Sequence, residues 1–572
     1  MDTQKLQDIK KLLQYIYDDK TANAVWGDLM QRMENCHPGK TQPLFTNKDA
    51  LLICYGDMLA PAADDKNSTG LARLTDFLKK WNRNAFNYVH ILPFHPYSSD
   101  DGFSVIDYRS VDKRFGSWED LEKLGQDVNL VYDFVLNHGS AQSEWFKGFL
   151  SNDEKYKDWY ITKPWDYDCS EVVRPRTHPL LTLFSKTNGN IEYVWTTFST
   201  DQVDYNFSNP DVLLEFISIF LEYYQRGAKI VRVDAIAYLW KEDGTACLHH
   251  PKTHAIVKLF RAIIDALCMD LKLLTETNVP HDQNISYFGE GDEAHMVYNF
   301  ALPPLVLHAA ISGDARPLCN WAQTLFPLKE GEWFLNFLAG HDGLGLTPAK
   351  GLIDDEAFKA TLNEAKKRGA LISYKTTQYG QIPYELNCSL SSVVAPESIG
   401  SVEQRARAFM TTEAILLALP GLPAVYLHSL IGSEAWTKGP SLLGYNRAIN
   451  REKPRVDEVE KFLEEPASFR SMVYHSFQKL FEFRQQEESF SPDAGFAVLE
   501  GDDSVFAIVR GPDKSGRHVL CAQNLCGKEA SFNIPPEYHF DGEHTSFTLQ
   551  PWETVWIASG GTQSPRKLSL AD

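Results

Sequence analysis

A chain of 572 residues, 43% hydrophobic and 23% charged, has the composition of a soluble globular protein and is too long for one ordinary core. Its net charge of −20 and pI near 5.3 argue against nucleic acid or an anionic membrane as a partner. The stretch from Met1 to Ile9 is charged where a signal peptide needs an apolar core, and no run of about 18 apolar residues marks a membrane span. The nine cysteines are scattered without a CxxC pair, which predicts reduced thiols and a cytoplasmic location.

Residues 1–48 read as a helical lead-in, with Leu6, Ile9, Leu12, Leu13 and Ile16 at helical spacing. Strand-like runs follow at Leu51–Tyr55, Tyr88–Leu92, Leu130–Leu136, Ile230–Ala235, Leu273–Glu276, Met296–Phe300, Phe334–Ala339 and Leu422–Leu427, each succeeded by helical or loop sequence. Buried strands alternating with helices in this number predict an α/β fold, a (β/α)8 TIM barrel. A doubly wound sheet would want a Gly-rich phosphate turn after an early strand, and none is present. The barrel is divided into a first part over 49–138 and a remainder over 201–484. The intervening 139–200, rich in Trp, Tyr and polar residues, predicts an insertion domain after the third strand. A second insertion, 343–400, follows the seventh strand. Residues 485–572 predict a C-terminal antiparallel β-domain with strands at Ser504–Arg510, His518–Gln523, Ala530–Ile534 and Thr545–Leu549. From about Gly560 the sequence reads as a polar, mobile tail.

The stretch Ile230–Ala235 is the organising element. Arg232 and Asp234 lie two residues apart on a strand and so share one face. A fixed guanidinium beside a carboxylate predicts a low pKa and an ionised Asp234, suited to a nucleophile or a charge stabiliser. Glu276 ends the fifth strand and Asp342 follows the seventh, while His138 and His341 fall at the same mouth. One such residue alone would be a solvated acid or a core histidine; their convergence on the catalytic face of a barrel points to chemistry. Several carboxylates at one mouth suit cleavage of an acetal, which needs one protonated and one ionised acid at the same pH. Glu276, with carboxylate neighbours, is expected to have a raised pKa. Zinc or two-metal hydrolysis would want His/Asp ligands in close sequence pairs, and these are absent. Nothing in the sequence calls for a metal or an organic cofactor.

The ordered motifs Asp133-Phe134-Val135-Leu136-Asn137-His138, Val231-Arg232-Val233-Asp234-Ala235, Thr275-Glu276-Thr277 and Gly340-His341-Asp342-Gly343 resemble those of the α-amylase superfamily of retaining α-glycosidases. The resemblance implies Asp234 as nucleophile, Glu276 as general acid/base and Asp342 as transition-state stabiliser. It implies His138, Arg232 and His341 around the transferred glucose, and no assured calcium. A narrower resemblance is to the sucrose-phosphorylase-like branch. It rests on Ser98-Ser99-Asp100-Asp101-Gly102-Phe103, on the segment Trp195–Asp204, and on Asn446-Arg447-Ala448-Ile449-Asn450-Arg451. It implies that Asp100 closes a one-sugar pocket, that Phe103 gives it an apolar wall, and that Arg451 binds glucose. The continuation His341–Pro348 and the stretch Gly369–Lys375 are similar to the glucosylglycerate phosphorylases of that branch. The implied function is transfer of an α-glucosyl unit from a small α-glucoside, first 2-O-α-D-glucosyl-D-glycerate, to inorganic phosphate, giving α-D-glucose 1-phosphate. Readings left open are a sucrose or sucrose 6'-phosphate phosphorylase, an α-glucoside hydrolase or transglycosidase, and a non-catalytic amylase-like scaffold. Arg174, Arg176 and Lys375, in the two insertions, could supply positive charge or be plain surface cations. The oligomeric state is not legible.

Overall fold

The computed structural model describes residues 3–570 apart from 38, 40–43, 66, 326–327, 378–379, 539, 541–545 and 562–563. Thr545, the expected start of one C-terminal strand, lies outside that set, as do Met1, Asp2 and part of the expected tail. The apolar runs form β1 (Leu51–Cys54), β2 (Tyr88–Ile91), β3 (Asn129–Val135), β4 (Ala228–Asp234), β5 (Lys272–Thr275), β6 (Met296–Tyr298), β7 (Trp333–Asn336) and β8 (Leu422–Tyr426). They are buried along nearly their whole lengths, as a parallel sheet covered on both faces requires. They close into a barrel in the order β1–β8–β7–β6–β5–β4–β3–β2, every neighbouring pair parallel. The predicted (β/α)8 barrel is the fold.

The outer helices begin where their caps place them. Asn209 and Ser401 accept backbone N–H groups ahead of Pro210–Gln225 and Val402–Ala418, and Pro210 and Pro251 occupy first-turn positions that need no N–H. The lead-in forms helices Thr3–Ile16 and Asp19–Glu34, which lie on Pro251–Ala266 and Pro210–Gln225. They bury Ile9, Leu13, Val25 and Leu29, each contributing about 1.5–3 kcal/mol.

Register decides which side chains meet at the mouth. Asp133 of β3 pairs with Arg232 of β4, and Val135 with Asp234. Val233 pairs with Thr275 of β5, so Asp234 and Glu276 leave the barrel at the same rim. After β3, the ladder of His138–Ser140 with Gln202–Asp204 forms the neck of an insertion that contains a sheet of Thr162–Lys163, Ile191–Trp195 and Leu181–Ser185. At this neck the buried Lys241 ammonium donates to Asn137 Oδ1 at 2.6 Å and pairs with Asp204 Oδ2 at 2.6 Å. After β7, the hairpin Leu371–Thr377 and Gly380–Asn387 pairs with Leu344–Gly345.

The C-terminal β-domain is a five-stranded antiparallel sheet with a separate two-stranded pair. The expected mobile tail is corrected in part: Arg566–Ser569 is an edge strand on Val555–Ala558. Leu568 packs on the core and Arg566 pairs with Glu487 at 3.2 Å; one apolar residue in four gives no periodic signal. Buried arginines join this domain to the barrel. Arg510 donates to the Ala418 carbonyl at 2.7 Å, and Arg484, on the last barrel helix, donates to the Phe490 carbonyl of this domain at 3.4 Å and to the Asp49 carbonyl of the barrel at 3.1 Å. Within the domain, Arg517 pairs with Glu487 at 2.6 Å.

Candidate active site

Asp234 closes β4, and Arg232 Nη1 donates to its Oδ1 at 2.8 Å. The same Nη1 also bonds Asp133 Oδ1, while His90 Nε2 lies 2.7 Å from the other Asp133 oxygen. The guanidinium is therefore shared. Burial pushes the Asp234 carboxyl up, Arg232 and His138 pull it back, and Asp133 pushes it up again. The expected low pKa of Asp234 is thus corrected: its pKa is raised, chiefly because burial outweighs the pull of Arg232, with Asp133, a second claimant on that guanidinium, adding to the rise.

Directly after Asp234 the chain turns at Ala235 into the left-handed region, φ +48°. This aims the Ala235 N–H at Glu276 Oε2, 2.9 Å away. Burial raises Glu276 to about 7, with Asp234 and Asp342 adding to the rise and Arg232 opposing it. No cation bonds Glu276 among the described residues, whereas Arg232 bonds Asp234. Two buried carboxyls that share one proton will therefore keep it on Glu276.

Asp342 has the opposite environment. Burial would push it up, but Arg447, His341 and Arg451 outweigh burial and hold it well below the usual carboxylate range. Arg447 Nη1 is 2.5 Å from Asp342 Oδ1 and Arg451 Nη2 is 3.7 Å away. Arg447 is itself gripped by Glu385 at 3.0 Å, and Glu385 accepts the Gly343 N–H at 2.8 Å. A Cβ on residue 343 would lie 2.6 Å from Glu385 Cγ, so this approach requires glycine. His341 lies flat on Phe103, ring centroids 4.7 Å apart, and burial lowers it to about 3. His138 is also lowered by burial; its Nε2 is 3.0 Å from the Phe103 carbonyl.

Asp100, Phe103, His138, Asp234, Glu276, His341 and Asp342 line one inner cavity. Arg232 lines an adjoining recess at its base. Arg451 lies behind it, 3.6 Å from Asp100 and 2.7 Å from Asp101. Outward, a vestibule of ≈ 580 Å³ is walled by both insertions and by Tyr445, Asn446 and Arg447. Arg176 faces both spaces, its guanidinium between the rings of Phe198 (5.6 Å) and Tyr384 (5.5 Å). It has no carboxylate partner among the described residues. Arg174 instead donates to the His178 carbonyl. Lys375 lies over the outer side of Tyr384, 5.2 Å from the ring.

Residues 66–333 match the family described as "Alpha amylase, catalytic domain". A glucosylglycerate phosphorylase of Spirochaeta thermophila is 44% identical over 95% of this chain and 94% of its own. One from Escherichia coli is 41% identical over 89% of this chain and 91% of its own. The chain belongs to the α-amylase family. Within that family it is an enzyme of the glycoside phosphorylase type. The crystal structure of sucrose 6F-phosphate phosphorylase from Thermoanaerobacter thermosaccharolyticum superposes with a TM-score of 0.75 at 24% identity, covering 91% of this chain and 97% of that one, which is a likeness of fold.

Several residues of this α-amylase family site were not singled out from the sequence. Glu385 and Tyr384 had no signal, since a charged or aromatic residue in a long insertion reads as surface, and Asn278, two residues past Glu276, belonged to no motif. Gln202 and Phe198 lay inside the recognised segment Trp195–Asp204 without an assigned role. Arg447 was part of the late arginine motif, yet its grip on Asp342 depends on two elements 105 positions apart in sequence.

Proposed function

We propose that this chain is a retaining phosphorylase of 2-O-α-D-glucosyl-D-glycerate, moving the glucosyl unit to inorganic phosphate to give α-D-glucose 1-phosphate and D-glycerate. The observation that carries the reading is a match along nearly the whole chain to glucosylglycerate phosphorylases of 39–44% identity. The cavity supplies a chemistry to go with it. Asp234 attacks the anomeric carbon as Glu276 delivers its proton to the departing glycerate oxygen, leaving a β-glucosyl ester on Asp234. Phosphate then attacks that carbon, Glu276 takes a proton from the incoming phosphate, and the ester bond breaks with net retention.

Asp342, kept anionic by Arg447, accepts hydrogen bonds from the sugar hydroxyls and supports the oxocarbenium-like charge. Asp100, Phe103, His138 and His341 surround the glucosyl unit, with the stacked rings of Phe103 and His341 forming an apolar part of the wall, and Arg451 supports them from behind. Arg232 fixes Asp234. Arg176 is the cation that both small anions, glycerate and phosphate, would meet on the leaving-group side. Its confinement between two rings limits rotamer freedom and so lowers the entropic cost of binding.

The test is a screen over glucosylglycerate, sucrose, sucrose 6'-phosphate and glucosylglycerol, with and without phosphate, measuring both glucose 1-phosphate and free glucose. Strict dependence on phosphate with preference for glucosylglycerate is expected. Equal turnover with and without phosphate would reject a phosphorylase in favour of a hydrolase.

A further inference from the structure

The loop after β2 carries two acids in succession, and they do different things. Asp100 lines the inner cavity and the vestibule. Asp101 packs behind it. Its Oδ2 accepts from Arg451 Nη1 at 2.7 Å and from the Tyr445 hydroxyl at 2.6 Å. The same Arg451 nitrogen is 3.6 Å from Asp100, beyond hydrogen-bonding distance. Arg451 is held from its other side by the His341 carbonyl, which accepts from Nε at 2.7 Å. Both acids adopt left-handed backbone, φ +51° at Asp100 and +47° at Asp101. Two successive non-glycine residues in that region persist only where their surroundings over-determine them. The hydrogen bonds of Asp101 to Arg451 and Tyr445, with the backbone bond from Phe103 N–H to Asp100 O at 3.2 Å, hold this turn.

We propose that Asp101 is a positioning residue for the sugar-binding end of the site. It takes the hydrogen bond of Arg451 Nη1, so the Asp100 carboxylate keeps only one long hydrogen bond, from Gln202 Nε2 at 3.4 Å, and stays open to sugar hydroxyls. Through Tyr445, whose side chain also walls the vestibule, the same carboxylate fixes the leaving-group side against the sugar side. Without it, the nearest anion to Arg451 Nη1 on this loop is Asp100, and the ion pair would compete with the sugar for that acid. The assignment rests on reading the inner cavity as a glucose site.

Competitive inhibition of phosphorolysis by free D-glucose reads that site directly. Asp101→Asn keeps the shape, and Asn is well tolerated in left-handed backbone; Asp101→Gly removes both the carboxylate and the strain. Both should raise the inhibition constant for glucose about tenfold, or about 1.4 kcal/mol. Circular dichroism should show both variants folded at the assay temperature, which separates positioning from folding. An inhibition constant within about twofold of the parent in both variants overturns the proposal. Lack of glucose inhibition in the unmodified enzyme would instead overturn the glucose-site reading, and this assignment with it.

Discussion

Replacing Glu276 by Gln tests the electrostatics of the site through stability as well as through activity. Its carboxyl is raised from 4.5 to about 7, first by burial. The folded state therefore holds this proton more tightly than the unfolded chain. That contribution is fully present below pH 4.5 and is lost as pH rises through about 7. At about 1.4 kcal/mol per pKa unit the full shift corresponds to about 3 kcal/mol, and about 2–3 kcal/mol of it falls between pH 5 and pH 8. With an unfolding entropy of about 2.1 cal/mol/K per residue, 572 residues melting together convert this to about 2 °C. Calorimetry of parent and Glu276→Gln at pH 5 and pH 8 measures the difference. The variant should gain about 2 °C relative to the parent on going from the lower to the higher pH. It should lose phosphorolysis, since an amide cannot deliver the proton. The same titration places the alkaline limb of kcat/KM near pH 7, where the acid loses its proton. Parallel melting profiles across this range would refute the raised pKa.

Asp234→Asn should lower phosphorolysis by a factor on the order of 10⁴ or more, because the amide forms no glycosyl ester; near-parental turnover in a steady-state assay would reject its role. Arg176→Ala should remove one charge-assisted contact to the anionic reactants, about 1.5–3 kcal/mol. This is read as a roughly ten- to hundredfold rise in the phosphate KM, with hydrolysis of α-D-glucosyl fluoride, which has no carboxylate to hold, changed far less. Lys241→Met should cost about 3–5 kcal/mol of stability by leaving Asp204 buried without its cation, and a denaturation midpoint equal to the parent's would show the pair to be dispensable.

The barrel was legible because each strand is a short, almost uninterrupted apolar run, and covered parallel strands leave that trace. The acids were legible because Asp234, Glu276 and Asp342 stand at or just past the ends of such runs. What could not be read is the division of charge among them. Arg232 and Asp234 lie two residues apart on one strand face and so read as a pair, but the β3–β4 register brings in Asp133 as a second claimant. Arg451 was given to glucose, and its closest anion is Asp101, which follows from a turn conformation rather than from any pattern. Glu385 and Tyr384 come from the hairpin after β7, whose placement over Gly343 depends on three-dimensional pairing. The edge strand Arg566–Ser569 is held largely by partners outside itself, which no local reading contains.

The arginines between the terminal sheet and the barrel limit how this gene product can be cut and recombined. Arg510 reaches across to a carbonyl at the end of the helix before β8, and Arg484, on the last barrel helix, bridges the Phe490 carbonyl of the terminal domain and the Asp49 carbonyl ahead of β1. A truncation near residue 485 would free the Ala418 carbonyl and uncover the apolar underside of that helix together. A chimera that borrows its tail from a relative inherits the same constraint: donor and recipient must agree on both the guanidinium and the carbonyl it meets. The last 90 or so residues are thus better regarded as the final layer of the catalytic body than as a detachable module.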